Sequence, residues 1–122
     1  MLFLLLVKAS DRSEAGLFPD PSLQEAMAAF NRDLVEAGVR VMAKGLHPTR
    51  EALRFSFRRP DEEPDVTSGP FEPPIDHLAG FILIEVASKD EAVAWARRMP
   101  DPQGHGEGQI ELRQVFESRE MN

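Results

Sequence analysis

The chain has 122 residues, of which 42% are apolar and none is cysteine. That length fits one domain with a core of its own, and the missing thiols exclude a disulfide framework, a thiolate nucleophile and a cysteine-based zinc or iron–sulfur site. Acidic residues outnumber basic ones 21 to 14, for a formal charge of −7 and a pI near 4.9, whereas a nucleic-acid binder normally shows a basic face.

The opening run Leu2–Ala9 (LFLLLVKA) predicts a strand that is apolar on both sides. It is too short to span a bilayer, and it lacks the basic leader and cleavage site of a signal peptide. A cytoplasmic protein with no membrane contact is therefore expected. Ser10–Asp20 reads as a loop with Gly16 and Pro19. Asp20 is a good helix N-cap, with Pro21 at the first helical position, where its missing N–H costs nothing. Ser22 with Glu25 offers a capping box two residues later. Leu23, Met27, Phe30, Leu34 and Ala37 recur at spacings of 4, 3, 4 and 3, the stripe of an amphipathic helix, and Gly38 ends it.

Val39–Leu46 predicts a second strand, with Val39, Val41 and Ala43 on one side. After the His47-Pro48-Thr49 turn, Ala52–Arg58 alternates Leu53, Phe55 and Phe57 with Arg54, Ser56 and Arg58, so one side of this strand should be wet. Pro60–Pro64 is a charged hairpin loop, and Val66-Thr67 resumes extended structure. Gly69 supplies backbone freedom, while Pro70, Pro73 and Pro74 prevent any helix through 69–75. Ala79–Val86 is the central strand, apolar across 81–84. Ser88 with Glu91 reads as a capping box, opening a helix whose stripe is Ala92, Trp95, Ala96 and Met99, closed by Pro100 and Pro102. A glycine-rich loop, Asp101–Gly108, leads into a last strand, Gln109–Phe116. Residues 1–116 form one domain and 117–122 a mobile tail.

The element order β-α-β-β-(short β)-β-α-β predicts an α+β fold, the ferredoxin-like split βαβ arrangement with two helices on one face of an antiparallel sheet. Two helices cover only one face, yet two strands are apolar on both. A chain this short supplies no further layer, so a homodimer with facing sheets is expected.

The segments MLFLLLVKAS, AFNRDLVEAGVRVMAKGLHP, VTSGPFEPPIDHLAGFILIEVASKDEAVAWARRMP and HGEGQIELRQV resemble the YCII-related proteins, in particular the DGPF-domain branch. The resemblance implies a dimeric α+β barrel of ferredoxin-like subunits. It implies no single activity: some relatives carry a His–Asp pair in a pocket, and others are linked to transcription factors of the extracytoplasmic sigma class. The branch's aspartate is Ser68 here, and the acid and lysine that usually follow are Pro73 and Ile75, with Asp76 as a following acid. Gly69-Pro70-Phe71 and Gly80-Phe81 are kept. That pattern favours a retained fold with altered or absent chemistry.

Candidate acid–base groups are His105, His77, Asp76 and Glu85. Asp76-His77 is an adjacent carboxylate and imidazole, although neighbours in an extended segment point opposite ways and a solvated loop pair is the plainer reading. His105 sits between Gly104 and Gly106 in a loop that could close over the sheet mouth, where an exposed loop residue is the alternative. Glu85 interrupts an apolar strand, so a buried carboxylate there needs a partner such as Arg113 or Arg40, or a shifted pKa; an exposed strand end is the alternative. Candidate ligand-binding residues are His47, Ser68, Phe71, Glu111 and Arg113, with Glu111 and Arg113 alternating onto one side of the last strand. The histidines are 30 and 28 residues apart, so no local metal motif exists, and neither a metal nor a cofactor is expected. Ser68 lacks a nucleophile-elbow context. Three readings stay open, and the enzyme question with them: a small dimeric ligand-binding or accessory module, a small-metabolite enzyme using a His/carboxylate pair, and a protein-partner module linked to transcription regulation.

Overall fold

A computed structural model describes residues 1–118. Its strands are β1 (Leu2–Lys8), β2 (Arg40–Gly45), β3 (Leu53–Ser56), β4 (Asp65–Ser68), β5 (Leu78–Glu85) and β6 (Ile110–Gln114); its helices are α1 (Asp11–Glu14), α2 (Pro21–Glu36) and α3 (Lys89–Arg98). Four strands form one antiparallel sheet in the order β2-β5-β1-β6, and β3 pairs with β4 as a separate hairpin. The protein is thus a mixed α+β fold, with a strand order compatible with the ferredoxin-like arrangement.

The helices begin where their caps dictate. The Asp20 carboxylate accepts from Leu23 N–H at 3.0 Å and from the Ser22 hydroxyl at 2.7 Å, so Asp20 rather than Ser22 starts α2. Gly38, at φ 74°, takes the left-handed conformation that closes it. The Ser88 hydroxyl accepts from Glu91 N–H, but the Glu91 carboxylate reaches past Ser88 to Ala87 N–H. The expected reciprocal box is therefore only half formed.

Phe3 and Leu5 of β1 and Ile82 and Ile84 of β5 point to the helices, where they pack with Phe30, Leu34, Ala92 and Trp95. Phe30 and Trp95 meet edge to face at 6.2 Å. Arg98 lies 4.4 Å over Trp95 and bonds Asp33 of α2 at 2.7 Å, joining the helices. On the opposite sheet face Leu4 stands across from Leu83, and Leu6 from Phe81. No helix covers these four, and they are half-buried in the single chain. The expectation that β1 and β5 are buried on both faces holds within one chain for the helix face only.

Other expectations need correction. Ser10–Asp20 is not all loop: Ser10 caps α1, its hydroxyl accepting from Ser13 N–H while the Ser13 hydroxyl accepts from Ser10 N–H. A bulge between Arg40 and Met42 breaks the alternation of β2, so Val39 is buried and Val41 is exposed. In β3 the apolar side is as open as the charged one, with Phe57 just beyond the strand 79% exposed. Gly69 is needed for space rather than for unusual φ: a Cβ there would collide with the Thr49 carbonyl oxygen. The tail expected at 117–122 falls mostly on 119–122, outside the described residues.

Candidate functional site

The connecting segments 9–20, 46–77 and 100–109 meet at one end of the sheet, where β1 and β2 finish and β5 and β6 begin. Thr49 ties them together. Its N–H and its hydroxyl donate to the two carboxylate oxygens of Glu14, each at 2.6 Å, and its hydroxyl oxygen accepts from Phe71 N–H at 2.9 Å. Arg50 adds a bond to the Glu14 carbonyl at 3.2 Å. Thr49 is buried, so its polar atoms need these partners. Phe71 in turn carries the Arg54 guanidinium 3.9 Å above its ring, and it packs against His77 at 5.8 Å. The backbone carbonyl of His77 accepts from Ala9 N–H at 2.9 Å. The SGPF loop is thereby fixed to β1, to α1 and, through Arg54, to the hairpin.

Beside this hub lies a cleft of ≈ 540 Å³ between the 16–19 loop and the turn after β2. Leu17, Phe18 and Leu46 supply apolar walls, with His47, Arg50 and Glu51 as the ionisable groups. His47 Nδ1 sits 3.3 Å from the Glu51 carboxylate, one turn of chain away. Such a mixture of apolar wall and a few polar groups suits a small organic ligand.

Of the sequence candidates, His47 lines this cleft, whereas Ser68, Phe71 and His105 are not among its lining residues. Asp76 is exposed on the short 3₁₀ turn Pro74–Asp76, and His77 follows it as the turn's cap. His105 adopts φ 59° at the tip of the glycine-rich loop and lies close enough to Asp20 to influence its charge. The Asp20 carboxyl is held below its ordinary value first by the Ser22 hydroxyl, then by Leu23 N–H, with a smaller contribution from His105. Glu111 and Arg113 stand opposite Leu6 and Leu4 on the uncovered sheet face. Glu85 is exposed and pairs in register with Leu2, at the far end of the sheet from the histidines. The ion pairs expected for it with Arg113 or Arg40 are not formed among the described residues.

Glu14 and Thr49 escaped notice in the sequence because α1 did. The available signal was Ser10 with Ser13, a serine pair at cap spacing interleaved with the carboxylates of Asp11 and Glu14. The glycine-rich loop has its own organiser. Asp101 accepts from Gln103 and Gly104 N–H at 2.9 and 3.0 Å. Burial pushes its carboxyl up, but these bonds and the nearby amides of Gly106 and Gly108 outweigh burial and hold it below the ordinary carboxylate value. Among the described residues no three histidine or acidic side chains come together as a metal site, and no helix is long and apolar enough to cross a membrane.

The sequence is 37% identical over 78 residues to an uncharacterized protein, R00369, of Rhizobium meliloti (strain 1021); the match covers 64% of this chain and 61% of that protein. The chain thus aligns with about three fifths of that relative's length. The family model described as the YCII-related domain matches residues 1–119. With nearly the whole sequence inside that match, from β1 through β6, this chain belongs to the YCII-related family.

Proposed function

We propose that this protein is a homodimeric, small-ligand-binding or accessory module of the DGPF branch of the family. The observation that carries ligand binding is the ≈ 540 Å³ cleft, lined by Leu17, Phe18 and Leu46 together with His47, Arg50 and Glu51. Dimerisation is supported by the face of Leu4, Leu6, Phe81 and Leu83, which no helix of the chain covers. Branch membership is supported by the retained Gly69-Pro70-Phe71 frame, in which Gly69 is required by the approach of Thr49. The enzyme and transcription-partner readings have no comparable observation in their favour. Glu85 stands at the opposite sheet end from His105 and His77, and Asp76 is exposed beside an imidazole tilted against Phe71.

A thermal-shift screen against a metabolite library tests the ligand. At about 100 times its Kd, a bound ligand adds roughly 2.7 kcal/mol, several degrees for a chain of this size. The shift is expected to disappear in His47→Ala and to persist in His105→Ala. A library in which no hit depends on His47 would overturn the assignment. Light scattering tests the dimer independently: a wild-type mass of 13.7 kDa, that of one chain, at micromolar concentration refutes it. Phe81→Asp should lower the mass to that of the monomer while the circular dichroism of the helices is kept.

A further inference from the structure

A second cleft, of ≈ 460 Å³, opens between α2 and the edge strand β2. Its interior is apolar: Val7, Met27, Ala43, Ile82 and Met99 line it. Three polar residues line it, Asn31 from α2 and, from β2, Arg40 and Lys44, the last paired in register with Phe81 of the opposite sheet face. Asn31 and Arg40 also line a smaller neighbouring cleft that carries Arg32 and Glu36. Arg40 has no carboxylate within ion-pair distance among the described residues. The Asn31 amide donates to the Met27 carbonyl at 3.1 Å, but its carbonyl oxygen is buried without any hydrogen-bond donor. No acidic residue lines the inner cleft, in a chain whose net charge is −7.

Each feature asks something different of a ligand. The apolar interior gains by burying hydrocarbon. The unpaired guanidinium calls for a carboxylate, which it can hold by charge-assisted hydrogen bonds. The orphaned Asn31 oxygen calls for a donor, because a buried acceptor without one costs about 1–3 kcal/mol. At about 30 Å³ per water-sized group, the volume admits roughly a dozen non-hydrogen atoms beside some water. We infer that this cleft binds a medium-chain carboxylic acid bearing a hydroxyl or amino donor near the carboxylate, with the chain inside, the acid at Arg40 and the donor at Asn31. The site shares Pro19, Gly45 and Ala79 with the His47 cleft but none of that cleft's ionisable groups, so it stands or falls separately.

The test uses racemic 2-hydroxyoctanoate, octanoate and octylamine, all below their aggregation concentrations, titrated into the full chain by calorimetry. Saturable binding of both acids and none of the amine is expected. The hydroxy acid should bind about fivefold tighter, the worth of one neutral hydrogen bond. Arg40→Gln should weaken both acids about ten- to a hundredfold, while Arg40→Lys recovers part of the loss. Asn31→Ala should abolish the preference for the hydroxy acid, and His47→Ala should leave all three titrations unchanged. Binding of acid and amine alike, or affinity untouched by Arg40→Gln in a variant that melts like wild type, would overturn the inference. Should Asn31→Ala fail to fold, loss of the hydroxy-acid preference in Asn31→Leu, of similar size and without an acceptor, serves in its place, and a preference kept there counts against the donor.

Discussion

Replacing Thr49 by valine isolates the polar hub at the end of the sheet. Valine keeps the shape and the backbone N–H that donates to Glu14, and it removes only the hydroxyl. Two hydrogen bonds are lost, the 2.6 Å donation to the Glu14 carboxylate and the 2.9 Å acceptance from Phe71 N–H. A bond to a charged group contributes about 1.5–3 kcal/mol and a neutral one about 0.5–1.5. Both sites are part-buried, so water recovers some of each, and a combined loss of about 2–3 kcal/mol is expected. At about 2.1 cal/mol/K per residue the unfolding entropy of this chain makes that a fall of roughly 8–12 °C in Tm. Urea unfolding should show a lower midpoint at constant slope. A cycle with Glu14→Gln separates the pair from the Phe71 bond, since the coupling between positions 14 and 49 is measured free of either single effect. A loss below about 0.5 kcal/mol, within the range of ordinary surface substitutions, would show that Thr49 does not hold the SGPF loop.

Further expectations concern the glycines and the acid limb of stability. Gly69→Ala places a methyl group against the Thr49 carbonyl and should cost at least the upper end of the roughly 1–3 kcal/mol of an overpacked site; chemical denaturation reads it, and a neutral result would remove the steric reason for that glycine. Gly80→Ala meets the Lys44 carbonyl at 2.8 Å and should be milder but still destabilising. Asp101 binds its proton less readily folded than unfolded, so the unfolded state takes up more protons on acidification. Its contribution is complete above the ordinary carboxylate value of about 4 and is lost as pH falls through that value toward the lower folded one. The acid limb of a Tm-against-pH curve should therefore flatten in Asp101→Asn, and an unchanged limb would count against the assignment.

Much of the fold was legible because the signals were local and strong. Asp20-Pro21 set the start of α2, Gly38 its end, Ser88 the start of α3, and the apolar runs of β1 and β5 announced central strands. The misreadings share a cause, which is that they depend on what is opposite. Alternation along Val39, Val41 and Ala43 fails at a bulge that exists only because β2 pairs with β5. Gly69 was legible as special but not for its reason, since the crowding atom belongs to Thr49, twenty residues away in sequence. The site followed the same rule. His47 in its turn could be named from sequence, but Glu14 and Thr49 are ordinary residues until the chain brings them together.

The place of β1 has a consequence for how the chain emerges during synthesis. β1 is made before both of its neighbours in the sheet, β5 and β6. Its partners on one side come from Leu78–Glu85 and on the other from Ile110–Gln114. At about 5–20 residues per second, the run LFLLLV waits on the order of 5–20 s outside the ribosome before its second neighbour is available. Until β5 follows, it is an unpaired, uncharged apolar segment of the length that zips into cross-strand aggregates, and until β6 follows one of its edges stays open. The nascent chain is thus exposed at β1 until its partners arrive, and a holdase chaperone that grips short apolar runs would find a handle there.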